Sequence, residues 1–272
     1  MFPSLYIGQE YIHGNDRHNG RPYLSTNGQD PFAAFLREFG LIMPKPEAVV
    51  LFSGGWSSPE QRISGKANYA LGFSSSGHPF CDAADVPAYP ARGDAQLSRD
   101  IEQYFASEGV SCRIDPDYEL DNLAMRLLRL LFPEANVPVV VLSVNPRLVP
   151  EEQYRIGAAL SGLRKKRIFI VGSGPLSYRG AGKKRTRVIT GNAAEKQWAF
   201  DQWLDIHIET WNLDDLFDYE ARAPHVSSAA PDAAQMAPLF ILMGAADQTR
   251  RSLLLHRSCG PDSFRRICRL FE

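Results

Sequence analysis

The sequence lacks the patterns that mark several classes of protein. Its four cysteines, at positions 81, 112, 259 and 268, show no CxxC spacing, which disfavours a zinc site or a disulfide framework. No apolar run reaches the roughly 18 residues of a membrane-spanning helix, and no basic region precedes an apolar run near residue 1. The net charge of −1 gives no sign of nucleic-acid binding. We therefore expect a soluble, cytoplasmic protein with neither a nucleic-acid nor a membrane partner.

Common catalytic motifs are also missing. The six histidines form no pair at i, i+4 and no HExxH motif. Gly172-Ser173-Gly174 has no third glycine in register and no acidic residue about 20 positions later, as a dinucleotide site requires. No Gly-x-Ser-x-Gly elbow surrounds Ser173 or Ser177, so a serine hydrolase is not indicated. The basic run 183–187 is typical of a solvated loop, with a phosphate grip as the alternative.

The most informative stretch is 49–56, which reads V-V-L-F-S-G-G-W. Its four leading apolar residues predict a buried strand, and the serine and two glycines predict a turn where that strand ends. Ligands in α/β proteins usually bind at the carboxyl ends of central strands. Gly54, Gly55 and Trp56 are therefore candidates for the floor of a site, although this loop itself carries no group suited to acid or base chemistry.

Strand and helix patterns alternate along the chain, which predicts a single α/β domain over 1–272 with a central mixed sheet flanked by helices. Helical spacing predicts a helix over 31–39 that Gly40 stops, and Asp94 and Asp121 are placed to cap two later helices. Strands are predicted over 4–7, 67–73, 110–114, 137–144 and 168–171, an apolar helix over 233–245, and two edge strands over 252–257 and 264–271. Residues 9–29 and 74–90 are predicted to be long loops.

The order of these segments resembles the class III extradiol ring-cleavage dioxygenases, the LigB-type superfamily, and most of all its DOPA 4,5-dioxygenase-like branch. The resemblance spans nearly the whole chain. The segments that carry it are 5–8, 44–50, 53–56, 89–93, 121–122, 132–133, 137–143, 172–174, 231–232, 238–240 and 242–245.

This resemblance implies a non-haem ferrous ion that chelates a catechol and activates dioxygen. The family takes its metal ligands from the first loop, the loop after the central strand and the late apolar helix, and two further histidines handle protons and oxygen. In this sequence the three ligand positions fall at Gln9, Gly55 and Gln235, and the two proton-handling positions at Asn122 and Tyr178. All five histidines are therefore predicted to be replaced.

Iron in such oxygenases requires imidazole and carboxylate donors on one face, whereas glycine and neutral amides are poor substitutes. We therefore predict that the chain has lost the iron site and uses no cofactor. The remaining cleft would be lined by residues suited to a planar aromatic or carbonyl compound. These are Gln9, Glu10, Gly55, Trp56, Asn122, Tyr178, Arg179 and Gln235.

Three functions stay open at this point. The first is a metal-independent enzyme in which Tyr178, helped by Arg179, acts as an acid or electrostatic stabiliser. The second is a non-catalytic binding protein or partner subunit, either a homodimer or a hetero-oligomer with a catalytic homologue. The third is an active dioxygenase whose metal ligands have been relocated to Glu10 and His13.

Overall fold

Eight strands form one mixed sheet in the computed structural model, which describes residues 1–8, 30–69, 89–174, 192–230, 233–259 and 265–272. The strands are β1 (Ser4–Gly8), β2 (Ala48–Ser57), β3 (Gln61–Ser64), β4 (Cys112–Asp115), β5 (Val139–Val144), β6 (Ile168–Gly174), β7 (Ser252–Cys259) and β8 (Arg265–Phe271). Across the sheet the strand order is β4-β3-β5-β2-β6-β1-β8-β7.

Helices cover both faces of this sheet. They are α1 (Pro31–Ile42), α2 (Ala95–Ser107), α3 (Asn122–Leu131), α4 (Pro150–Ala159), α5 (Asn192–Glu209), α6 (Leu213–Phe217), α7 (Tyr219–Arg222), α8 (Val226–Ala229) and α9 (Ala233–Ala245). A 3-10 turn over Ser161–Lys166 follows α4. The predicted α/β class with one mixed sheet flanked by helices is confirmed.

The four central strands, β5, β2, β6 and β1, run parallel, so their carboxyl ends meet at one edge. In this register Gly8 of β1 lies opposite Gly174 of β6, and Ser53 of β2 lies opposite Ser173 of β6. Near-continuous apolar runs such as Val139–Val144 allow these strands to be buried on both faces. The edge formed by Gly8, Ser53 and Gly174 is thus where a site is expected.

Glycines allow α4 and α9 to cross in direct backbone contact on one face of the sheet. A Cβ atom on Gly157 of α4 would overlap the carbonyl oxygen of Ile241, and one on Gly244 of α9 would overlap that of Tyr154. The same helix also packs on β6, because Leu242 and Pro238 of α9 contact Gly172. The start of α9 is thereby held near the carboxyl edge of the sheet.

The prediction that Gly40 stops the first helix is wrong. Helix α1 continues to Ile42, and its last turn ends at Met43, just before Pro44. Gly40 has a packing role instead, because a Cβ atom there would overlap the carbonyl oxygen of Leu131 at the end of α3. The missing side chain lets α1 approach α3, and the proline then ends the helix.

The predicted turn after Phe52 is also corrected. Strand β2 continues to Ser57, but its register with β5 shifts between Phe52, opposite Leu142, and Ser57, opposite Val144. Five steps on β2 therefore match two on β5, so residues 53–56 bulge from the ladder with β5 instead of reversing the chain, while Ser53 still pairs with β6. The bulge displays these four residues at the carboxyl edge.

Some of the other predicted elements fall within the described residues, and some fall outside them. The caps are confirmed, since Asp94 accepts a hydrogen bond from Leu97 N and Asp121 accepts one from Ala124 N. The two late strands are confirmed as β7 and β8 at one edge. Of the strand predicted over 67–73, residues 67–69 form only a bridge from Asn68 to Arg92, and the rest lies outside the described residues. Strand β3 was not predicted.

The α4–α9 crossing generates a stability prediction. Gly157→Ala should lower the free energy of unfolding by about 2–3 kcal/mol, because the new methyl group must push two packed helices apart. Gly162→Ala, in the 3-10 turn, is the matched control, since a Cβ atom there would meet no atom within 4 Å. Urea unfolding followed by circular dichroism measures both. Equal stability of the two variants would contradict the packing described.

Candidate functional site

The carboxyl edge of the central strands gathers the residues of the candidate site. Gly8, Ser53 and Gly174 lie at the same level of the sheet, and β2 bulges there over residues 53–56. Residues 9–29 and 175–191, which follow β1 and β6, lie outside the described residues. The described part of the site is therefore built on β2, on the segment that leads into α3, and on the start of α9.

A carboxylate is fixed beside the β2 bulge. Asp121 Oδ2 accepts hydrogen bonds from Ser53 Oγ at 2.7 Å and from the Tyr118 hydroxyl at 2.9 Å, while Oδ1 accepts one from Ala124 N at 2.9 Å. Burial, and next the negative charge of Asp121, raise the pKa of the Tyr118 phenol well above its ordinary value. The phenol therefore stays protonated and serves as a permanent donor to this carboxylate.

Gly55 lies directly against that carboxylate. A Cβ atom on Gly55 would be 2.8 Å from Asp121 Cγ and 2.9 and 3.0 Å from its two carboxylate oxygens. Gly55 N in turn donates a hydrogen bond of 3.2 Å to Ser53 Oγ, which links the bulge to the same network. The carboxylate thus occupies the space that a side chain at position 55 would need.

An aromatic pair adjoins the carboxylate. The ring of Trp56 stacks on the ring of Tyr118, with centroids 3.7 Å apart and planes 14° from parallel. Trp56 is only partly buried, whereas Tyr118 is buried. Tyr118 therefore joins the indole to Asp121, because its ring contacts the first and its hydroxyl bonds the second.

Gln235, in the first turn of α9, approaches the same edge at β6, the strand next to β2. The backbone carbonyl oxygen of Gln235 lies so close to Gly174 that a Cβ atom on that glycine would overlap it. Tyr6 supports this junction by donating a hydrogen bond of 2.7 Å to the carbonyl oxygen of Gly174. Gln235 is half-buried in the first turn of α9, and its side-chain amide oxygen is buried.

The structure brings together some of the residues that the sequence placed in one site. Gly55 and Trp56 adjoin Asp121, and the backbone of Asn122 follows directly as the first residue of α3. Gln235 lies against Gly174 of β6, the strand next to β2. The other predicted site residues, Gln9, Glu10, His13, Tyr178 and Arg179, lie outside the described residues.

Sequence reasoning missed the central group of this site. Asp121 was predicted only as a helix cap, and Tyr118 and Ser53 were assigned no role. One signal was available: an aspartate that caps a helix with one oxygen has a second oxygen free for another partner. Which partner it takes depends on β2, almost 70 residues away in the sequence, and spacing alone does not give that contact.

Two histidines of the described ranges, His207 and His256, make structural contacts. His207 bonds the Trp203 carbonyl oxygen and Asp215, while the His256 ring packs against Phe32 and Phe35. Over the same ranges, no three His, Cys, Asp or Glu side chains are grouped so that they could hold a metal ion. The described segments likewise contain no helix with both the length and the apolar character needed to cross a membrane.

Comparisons of the sequence with known proteins point to one family. Residues 25–261 match the family model described as the catalytic LigB subunit of aromatic ring-opening dioxygenase. The chain is 28% identical over 249 residues to a 4,5-DOPA dioxygenase extradiol of Beta vulgaris, covering 88% of this chain and 89% of the relative. It is 24% identical over 221 residues to one of Escherichia coli strain K12, covering 78% and 77%.

The fold comparison agrees. A crystal structure of an uncharacterized protein from Escherichia coli K12 superposes with a TM-score of 0.75 at 17% identity, covering 100% of both chains. At that identity the likeness concerns the fold alone. The family match, which extends over most of the sequence, confirms the predicted superfamily. The chain belongs to the family of the catalytic LigB subunit of aromatic ring-opening dioxygenases.

Proposed function

We propose that this chain binds a planar aromatic small molecule at the carboxyl edge of its sheet, without the ferrous centre implied by its resemblance to extradiol dioxygenases. The observation that carries the proposal is the contact between Gly55 and Asp121. Gly55 stands at the position where the resemblance places a metal-ligating histidine. The Trp56–Tyr118 pair next to it supplies the aromatic surface.

The residues at the expected metal positions do not fit iron. Gly55 has no ligand atom, and any side chain at that position would collide with the Asp121 carboxylate. That carboxylate already accepts hydrogen bonds from Ser53, Tyr118 and Ala124. Ferrous iron in oxygenases takes imidazole and carboxylate donors on one face, so the neutral amide of Gln235 would be a poor third ligand.

The aromatic pair supports binding of a flat ligand. Tyr118 covers one face of the Trp56 indole, and within the described ranges no other ring packs on the indole. Offset stacking on such a face is favourable for aromatic compounds in partly buried sites. Hydrogen bonds to Asp121 would then fix the orientation of a bound ring.

Replacing the indole should remove binding of a ring compound. We expect Trp56→Ala to weaken the affinity for 4-ethylcatechol at least about tenfold, because the stacking surface is lost, whereas Trp56→Phe should retain most of it. Isothermal titration calorimetry in buffer containing EDTA measures the affinity without a contribution from free metal.

Trp198→Ala is the matched control for this experiment. Trp198 is 63% exposed on α5, so its removal should change the affinity less than twofold. Equal affinities of the Trp56→Ala variant and the unmodified protein would remove the indole from the proposed site.

The crowding at position 55 generates a second prediction. Gly55→Ala should lower the free energy of unfolding by about 1–3 kcal/mol, because the methyl group displaces Asp121 from Ser53 and Tyr118. In an Asp121→Ser background the same change should cost less than half as much. Serine keeps the helix cap while its shorter side chain vacates the contested space.

This double-mutant cycle is measured by urea unfolding of the four proteins. Strictly additive effects of the two substitutions would show that Asp121 does not fill the space in front of Gly55.

A further inference from the structure

Two ion pairs fasten the segment that carries the tyrosine and the carboxylate of the site. This segment, 115–121, leads from the end of β4 into α3. Near its start, Asp115 pairs with Arg62 of β3 at 3.2 Å. Near its end, Glu119 pairs with Lys66, which follows β3. The segment is therefore attached at two points to β3 and the residues directly after it.

The Asp115 carboxylate makes a different contact with each of its two oxygens. Oδ2 accepts a hydrogen bond from Arg62, while Oδ1 accepts from the backbone N–H groups of Asp117 at 3.0 Å and Tyr118 at 3.1 Å. An aspartate that bonds the following backbone in this way stabilises a tight turn. The turn fixes the backbone of Tyr118, and with it the direction from which the tyrosine ring reaches Trp56.

The stacking of Tyr118 on Trp56 is closer than the arrangement that aromatic pairs usually adopt. The centroids are 3.7 Å apart and the planes 14° from parallel. Aromatic pairs prefer an offset or edge-to-face arrangement with centroids about 4.5–7 Å apart, so this geometry has to be held in place. Tyr118 is held from both ends, because Asp121 accepts from its hydroxyl and Asp115 accepts from its backbone N–H.

We propose that Asp115, held by Arg62, is a positioning residue that keeps the Tyr118 ring stacked on Trp56. Loss of the Asp115 contacts should let the tyrosine slide toward an offset arrangement, which changes the aromatic surface beside the indole. The affinity for a ring compound then falls although Trp56 is still present. This last step rests on the proposed function, whereas the stacking itself can be measured without a ligand.

Near-ultraviolet circular dichroism tests the inference in the absence of any ligand. The signal of the stacked pair is the difference between the spectra of the unmodified protein and Trp56→Ala, and the same difference is measured in the Asp115→Ala background. We expect Asp115→Ala to reduce this difference signal by at least about half, because the pair loses its fixed geometry. Spectra recorded below the thermal unfolding transition of each variant exclude a contribution from unfolded protein.

Three further variants separate positioning from a general effect of charge. Asp115→Asn keeps an acceptor for the two backbone N–H groups and should retain most of the difference signal. Asp117→Ala removes an exposed carboxylate of the same segment and should leave the signal unchanged. Arg62→Gln releases Asp115 from β3 while the turn remains, so the loss should be smaller than in Asp115→Ala. It also tests the inference if Asp115→Ala does not fold.

The affinity for 4-ethylcatechol provides the second readout. In calorimetric titrations with EDTA present, we expect Asp115→Ala to bind about fivefold more weakly than the unmodified protein, because the aromatic surface is no longer held in one arrangement. Asp115→Asn and Asp117→Ala should bind within about twofold of the unmodified protein.

The outcomes distinguish the inference from the function beneath it. A difference signal that stays unchanged in both Asp115→Ala and Arg62→Gln would overturn the inference, whatever the affinities. A loss of signal with unchanged affinity would confine Asp115 to the fold and overturn its role in the site. A loss of signal in Asp115→Ala, together with failure of the unmodified protein to bind 4-ethylcatechol, would contradict the proposed function and leave the positioning of Tyr118 standing.

Discussion

A carboxylate held in front of a bare glycine is the contact on which the candidate site depends. Asp121 can lie there because Gly55 has no side chain, and it stays there because Ser53 and Tyr118 donate to the same oxygen. The stacking of Trp56 on Tyr118 is part of the same arrangement. A change at any of these positions therefore alters the site and the local packing together.

The fold supplies the frame for this contact through close backbone approach. Parallel central strands place Ser53 and Gly174 at one edge, and glycines at the α4–α9 crossing hold the start of α9 against the same edge. Gln235 thereby reaches this edge from one face of the sheet, whereas Asp121 reaches it from the start of α3 on the other face.

Much of the architecture could be predicted from the sequence, because it depends on local patterns. Apolar runs predicted the central strands, and aspartates placed before helical spacing predicted two caps. The failures involve contacts between distant segments. Gly40 was predicted to end a helix because its packing against Leu131 could not be foreseen, and the register shift of β2 depends on pairing with β5. The role of Asp121 was missed for the same reason, since Ser53 lies far from it in sequence.

The most direct test of this account is a crystal structure of the unmodified protein soaked anaerobically with ferrous ion, with anomalous data collected at the iron edge. We expect no ordered iron beside Gly55, and an Asp121 carboxylate bonded to Ser53 and Tyr118. A fully occupied iron peak between Gly55 and Gln235, with Asp121 turned away from both donors, would contradict it.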